Sequence, residues 1–193
     1  DRNEILVSHT DRRVCALARV LRGGVGPAVS DFSIRPATSE DAPAVARIYN
    51  PYVRDTVITF EEVEVTTEEI VARIGAVAEA SLPWLVLEDA GVVIGYAYAS
   101  RWHARSAYRH TAESTIYLEA SVRGCGHGRR LYTALLDELR RLPIHAVVGG
   151  IALPNDASVA LHEKLGFRKV AHYAEVGRKL GRWIDVGTWQ LLP

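Results

Sequence analysis

The segment that most restricts this chain runs from residue 113 to residue 139. Glu113-Ser-Thr-Ile-Tyr-Leu118 reads as a strand, and Arg123-Gly-Cys-Gly-His-Gly128 as a glycine-rich turn. A helix follows with Leu131, Ala134, Leu135, Glu138 and Leu139 at helical spacing. Strand, glycine turn and helix together present backbone N–H groups at a helix N-terminus, a geometry that holds anions. Glycines at 124, 126 and 128 let the backbone approach a diphosphate without a Cβ in the way. Such turns also serve as plain connections, so the rest of the chain has to decide. The turn is not a P-loop, because no Gly-Lys-Ser/Thr follows. Neither is it a dinucleotide fingerprint: no early βαβ unit surrounds it and no ribose-binding acid follows at the usual distance.

The remaining patterns place this unit in one α/β domain over residues 31–193. Phe32–Pro36 alternates as a short strand, and Thr38-Ser-Glu-Asp41 forms a capping box with Asp in place of Glu. That box opens a helix through Ala44, Val45, Ile48 and Tyr49, which Pro51 is expected to end. Residues 53–63 read as a loop carrying Phe60. Thr66-Thr-Glu-Glu69 caps a second helix to about Ala80. A hairpin is predicted from Trp84–Leu87 and Val92–Ser100 around Asp89-Ala-Gly91. A strand at His145–Ile151, a helix from Asn155 to Leu165-Gly166, and strands at Phe167–Tyr173 and Trp183–Leu191 complete the order β-α-α-β-β-β-α-β-α-β-β. The predicted architecture is a single mixed, mostly antiparallel central sheet flanked by helices.

Composition excludes several classes. With 23 basic and 23 acidic side chains the formal net charge is zero, which argues against a nucleic-acid binder. No apolar run approaches the roughly 20 residues needed to cross a bilayer, so no membrane partner is expected. Two cysteines, Cys15 and Cys125, cannot form a multi-bridge framework, and a cytoplasmic location is expected. The sequence holds no methionine, which sets the expectation that residue 1 is not a natural start. Residues 1–30 are read as a basic, disordered extension with a short amphipathic stretch (Val14, Leu17, Ala18, Leu21) broken by Gly23, Gly24, Gly26 and Pro27. His103, His110 and His127 lack carboxylate or cysteine partners at ligand spacing, so no metal is predicted. Cys125 has no evident base beside it and is not assigned as a nucleophile. Trp84, Trp183 and Trp189 are read as core or interface packing.

The loop resembles the Arg/Gln-x-x-Gly-x-Gly/Ala signature of the GNAT superfamily of acyl-CoA-dependent N-acetyltransferases, with Arg123, Gly126 and Gly128 at the signature positions. Asn155-Asp-Ala-Ser158 and Leu161-His-Glu-Lys-Leu-Gly-Phe167 are similar to the helix that follows the cofactor-splaying strand in that superfamily. Trp102-x-Ala-Arg105-x-Ala-Tyr108, Thr111-Ala-Glu-Ser-Thr-Ile-Tyr117 and Asp185-Val-Gly-x-Trp189-Gln190 resemble its phosphinothricin and methionine sulfoximine acetyltransferases. The resemblance covers about Ile34 to Leu192, and it implies the GNAT fold, acetyl-CoA as co-substrate, direct transfer in a ternary complex, and a homodimer.

The resemblance also implies roles. Amine acetylation needs a neutral amine, a stabilised oxyanion and a protonated leaving thiol, and an α-amine with a pKa near 8 is mostly cationic at pH 7. Glu113 and His162 are the candidate proton-transfer groups; either could take the first proton, or the two could act as a pair. Ile116, Tyr117 and Leu118 would hydrogen-bond the pantetheine arm and the oxyanion through their backbone. Arg123, Gly124, Cys125, Gly126, His127 and Gly128 would hold the diphosphate. Asn155, with Ser158 nearby, would touch the cofactor or simply cap its helix. Arg105 offers a fork to a carboxylate or phosphinate, Tyr108 a hydroxyl and Phe60 an apolar wall for the acceptor. Residues 109–110 are Arg-His, where herbicide-resistance members carry an acidic residue and tryptophan. The implied acceptor is therefore a small amino acid or analogue, not phosphinothricin in particular. Two rivals remain at this point: an acetyltransferase for protein N-termini, and a non-catalytic acyl-CoA sensor.

Overall fold

A computed structural model describes residues 32–193; the reading of 1–30 lies outside the described residues. Seven strands form one sheet: β1 Phe32–Pro36, β2 Trp84–Asp89, β3 Val92–Arg101, β4 Thr111–Leu118, β5 Ala146–Leu153, β6 Arg168–Lys179 and β7 Arg182–Leu191. Their spatial order is β1-β2-β3-β4-β5-β7-β6, and every neighbouring pair is antiparallel except β4 with β5. Helices α1 (Ala42–Asp55) and α2 (Thr67–Glu79) cover one face; α3 (His127–Arg140) and α4 (Asp156–Lys164) lie on the other.

Alternation along the strands divides the core accordingly. Leu85 and Leu87 of β2 join Ile94, Ala97 and Ala99 beneath Leu131, Tyr132, Leu135 and Leu139 of α3. Trp84 and Val86 point the other way, toward Val45, Ile48 and Tyr49 of α1 and Ile70, Ile74 and Val77 of α2. Both predicted capping boxes form: Asp41 Oδ2 accepts from the Thr38 amide, and Glu69 Oε2 from the Thr66 amide, with Glu69 N–H returning to Thr66 Oγ1. Arg35 forks onto Asp41 at 2.8 and 2.7 Å and also reaches Glu88, tying β1 and β2 to the start of α1.

One expectation is overturned. Helix α1 does not end at Pro51 but runs through it to Asp55. A helix-interior proline costs about 3 kcal/mol. Continuing the helix buries Tyr52 and Val53, each worth roughly 1.5–3 kcal/mol. The Thr56 hydroxyl then donates to the Tyr52 carbonyl at 2.7 Å and closes the last turn. Trp84 and Trp189 are core residues as read; Trp183 is exposed, with the Arg178 guanidinium over its ring. Among the described residues no helix is long and apolar enough to cross a membrane.

Truncating Leu135, fully buried at the centre of the α3 interface, should cost about 2–5 kcal/mol. The Leu135→Ala variant should show this as a lower urea midpoint at an unchanged slope.

Candidate active site

The parallel pairing of β4 with β5 covers only Thr111↔Ala146, Ala112↔Val147 and Glu113↔Val148. Beyond Glu113 the two strands part, β4 running on to Leu118 and β5 to Leu153. The β5-facing side of Ile116, Tyr117 and Leu118 therefore has no strand partner. The Tyr117 ring packs among Tyr49, Tyr52 and Tyr96, so only its backbone faces the gap. The Leu118 carbonyl accepts from Tyr52 Oη at 2.5 Å.

The turn between β4 and α3 has the geometry of a candidate anion site. Gly124 and Gly126 have φ of 76° and 78°, conformations an L side chain resists, and Gly126 is the residue that caps α3. A Cβ on Gly126 would meet nothing within 4 Å, so its lack of a side chain serves backbone conformation. Gly128 works differently: a Cβ there would press on Leu118 Cδ1 at 3.3 Å and Leu161 Cδ2 at 3.5 Å, so glycine lets α3 dock closely. Among the described residues the amides of Gly124, Gly126 and Gly128 have no backbone acceptor. The Arg123 guanidinium lies 4.8 Å above the Tyr52 ring beside them. Amide donors, open space and a cation make a donor set that fits a diphosphate. The His127 ring lies against Phe32, and the Cys125 Sγ is near the Arg123 carbonyl.

Two adjacent glycines on β5 shape what lies at the parting point. A Cβ on Gly150 would stand 3.7 Å from Glu113 Oε1, and a Cβ on Gly149 only 2.6 Å from His162 Nε2. Because successive strand residues face opposite sides, Glu113 lies on the α1/α2 face and His162 on the α3/α4 face. The structure thus does not bring the two into contact; the sheet stands between them. Glu113 is half-buried, and burial pushes its carboxyl above the usual range, with a weaker opposing pull from His103.

His162 is 4% exposed. Its Nδ1 lies 2.8 Å from the Ser158 carbonyl, an acceptor only, so Nδ1 carries the proton and donates. Nε2 must then accept, and the Tyr132 hydroxyl, 3.0 Å away, is its donor. Ser114 Oγ completes the chain, 2.7 Å from Tyr132 Oη and within 3.3 Å of the Val148 carbonyl. Burial pulls the imidazole below its usual value, against the pull of the Ser158 carbonyl. Asn155 caps α4, its Oδ1 accepting from the Ser158 amide at 3.2 Å. This cap was the plain alternative for that residue, and it leaves the Nδ2 group for a ligand.

The acceptor candidates stand on two other segments. Arg105 and Tyr108 occupy the hook between β3 and β4, where Tyr108 packs edge-on to Trp102 at 5.1 Å and against His103 at 5.1 Å. Arg105 is exposed, and its guanidinium has no ion-pair partner among the described residues. Phe60 sits on the far side of the gap, its ring against Gly177 of β6. Sequence reading missed Ser114, Tyr132, Gly149 and Gly150. Two glycines in mid-strand were the available signal, since they weaken a strand unless something approaches closely.

The model of the acetyltransferase (GNAT) domain matches residues 34–188. Phosphinothricin N-acetyltransferase of Streptomyces viridochromogenes is 40% identical over 166 residues, covering 86% of this chain and 90% of that protein. The L-methionine sulfoximine/L-methionine sulfone acetyltransferase of Salmonella typhimurium is 38% identical, covering 83% and 94%. A solved Salmonella typhimurium acetyltransferase with its cofactor acetyl-CoA superimposes with a TM-score of 0.81 at 38% identity, over 83% of this chain and 93% of that one.

The hydroxyl of Tyr132 stabilises the neutral imidazole, so its removal should raise the His162 titration midpoint. Nuclear magnetic resonance titration of the Tyr132→Phe variant reads this directly. Since the imidazole is held below its unfolded value near 6.5, His162 should also cost stability as pH falls through that value. The Tyr132→Phe variant should lose less over that window.

Proposed function

Because the chain belongs to the GNAT acetyltransferase family, we propose that it is an acetyl-CoA-dependent N-acetyltransferase for the α-amine of a small amino acid or analogue, of the phosphinothricin and methionine sulfoximine kind. The observation that carries this reading is the parting of β4 and β5 at Glu113, with an anion cradle at one end of the gap and a desolvated carboxylate at the other. Acetyl-CoA would lay its diphosphate on the amides of residues 124–128 and its pantetheine arm along the open side of β4. A backbone N–H of residues 116–118 would then face the developing oxyanion.

Glu113 removes the proton of the bound amine, directly or through one water, so that attack on the thioester carbon occurs by direct transfer. A carboxyl raised by burial is a better match for this work than a solvated one. His162 supplies the proton of the leaving sulfur. Gly149 supports that role, because its missing Cβ admits the Nε2 edge to the β5 backbone near the parting point. To do so the imidazole would first take up a second proton on Nε2 from solvent, while Nδ1 keeps the one it donates to the Ser158 carbonyl, and the Tyr132 hydroxyl, free to rotate, would turn from donor to acceptor.

Residues 101–110 contain three arginines, two histidines and no acid. Such a hook suits a small anionic acceptor gripped by Arg105, and disfavours a cationic peptide N-terminus. The same reading pairs two copies through the β6–β7 hairpin, an edge whose Val170, Tyr173, Val176 and Trp183 are exposed. It places the enzyme in the cytoplasm, where free amino acids and acetyl-CoA meet.

Thiol release from acetyl-CoA with a panel of amino acids, phosphinothricin and methionine sulfoximine tests the proposal; a protein that binds acetyl-CoA and acetylates none of them would be a sensor. Glu113→Gln should lower kcat about 10²- to 10³-fold with the KM for acetyl-CoA unchanged. In the parent enzyme, the rate should fall as pH drops through the raised Glu113 value, because protonation removes the base. A raised carboxyl disfavours the ionised folded state, so the Gln variant should melt no lower than the parent at pH 7. Arg105→Ala should raise the acceptor KM by about tenfold or more while sparing that for acetyl-CoA.

A further inference from the structure

Lys179 is 3% exposed, and none of the chemistry above uses it. A lysine is almost never fully buried without a compensating partner, and an apolar residue would serve packing better. Its Nζ donates to the Thr59 carbonyl at 2.8 Å, joining β6 to the loop between α1 and α2. The next residue, Phe60, rests on Gly177, where a Cβ would fall inside the phenyl ring's van der Waals envelope. The other side of the loop is fixed to the opposite half of the molecule. Thr59 Oγ1 lies 2.6 Å from Tyr49 Oη, whose ring packs edge-on against Tyr117 of β4 at 4.9 Å. Glu61 accepts from Tyr49 at 3.1 Å and takes a two-pronged grip from Arg73 of α2 at 2.7 and 3.0 Å. Residues 59–61 are therefore a strap across the face of the split sheet, anchored to β4 through Tyr49 and to β6 through Lys179.

The β6 anchor depends on an irregularity. The β6–β7 register passes from Tyr173↔Val186 to Gly177↔Ile184, so β6 carries two residues more than β7 between those pairs. Asp185 holds this bulge open: Oδ1 accepts from the Glu175 amide at 2.8 Å, and Oδ2 lies 2.8 Å from His172 Nε2. Glu175 is held at φ 50°, uncommon for a residue with a side chain. The bulge ends at Gly177, so the segment that meets Phe60 and Thr59 is the one it re-aims.

We propose that Lys179 is a positioning residue for acceptor selection: through Thr59, and with Gly177 beneath Phe60, it sets where the strap's phenyl ring stands over the acceptor end of the gap. The inference rests on the acetyltransferase reading and adds to it that β6, remote in sequence from the catalytic candidates, fixes one wall of the acceptor site. Burial works against the ammonium while Glu62 and Glu61 favour it, consistent with a charge kept for its place.

Two variants separate this from a structural role. Lys179→Met keeps the stem and removes the donor; Gly177→Ala leaves Lys179 intact and displaces the half-exposed Phe60 ring. Amide hydrogen exchange, which needs no turnover, should show faster exchange for residues 57–62 in Lys179→Met, with α3 and β4 unchanged. Steady-state kinetics should show the acceptor KM raised about tenfold in each variant and the ranking of acceptors altered, with the KM for acetyl-CoA within about twofold. Unchanged exchange in the strap, or faster exchange with the acceptor KM and ranking unaltered, overturns the proposal. Failure of the parent to acetylate any acceptor overturns the enzymatic reading instead, and with it the selection role, even where the exchange result stands.

Discussion

Three residue pairs hold β4 to β5, and the end of that pairing at Glu113 and Val148 organises everything around it. A sheet that loses a ladder in its interior exposes main-chain donors and acceptors that elsewhere would be satisfied at once. Here the loss is offset on the far side of each strand. β4 stays paired with β3 from Ala112 to Leu118, and β5 with β7 from Val147 to Leu153. Each half of the sheet thus keeps its own ladder, and the gap between them is a property of the fold. An extended arm with amide groups can enter it as a strand would.

The parting point also fixes the chemistry available on each face. Gly149 and Gly150 are neighbours in sequence but face opposite sides of β5, and each makes room for a different titratable group. Glu113 gains a desolvated but half-buried setting. His162 gains a closed one, in which each hydrogen-bonding nitrogen is already committed, Nδ1 to Ser158 and Nε2 to Tyr132. On the proposed reading, the carboxylate and the imidazole would serve proton transfer from opposite faces. That reading needs no direct relay between the two, because the reacting groups would lie in the gap that both faces border.

Much of this was legible in the residues. The capping boxes at Thr38 and Thr66, the hairpin after Trp84 and the glycine turn at 124–128 are local signals, each decided by a few backbone hydrogen bonds. Pro51 misled because the propensity that ends a helix is local, whereas the burial of Tyr52 and Val53 that prolongs it is tertiary. The site divides in the same way. Arg123, Gly126, Glu113 and His162 are marked by motif spacing. The facing of Glu113 and His162 to opposite sides depends on sheet geometry, and Tyr132 and Ser114 meet His162 only once α3 and α4 have packed.

Lys179 shows how far such non-local effects reach. No periodicity distinguishes it from the exposed Arg168, Lys169 and Arg178 of β6, and its burial against the loop after α1 follows the Asp185-held bulge along the strand. A split sheet needs something to set the spacing of its halves above the gap, and short contacts along the ladder cannot do so beyond Glu113. The strap supplies that restraint from outside the ladder, with neutral and charged donors at its two ends. Because its anchors lie on the two sides of the split, any change in the spacing of the halves moves Phe60 relative to Glu113. On the proposed reading, the width of the opening and the shape of the acceptor wall would therefore be coupled.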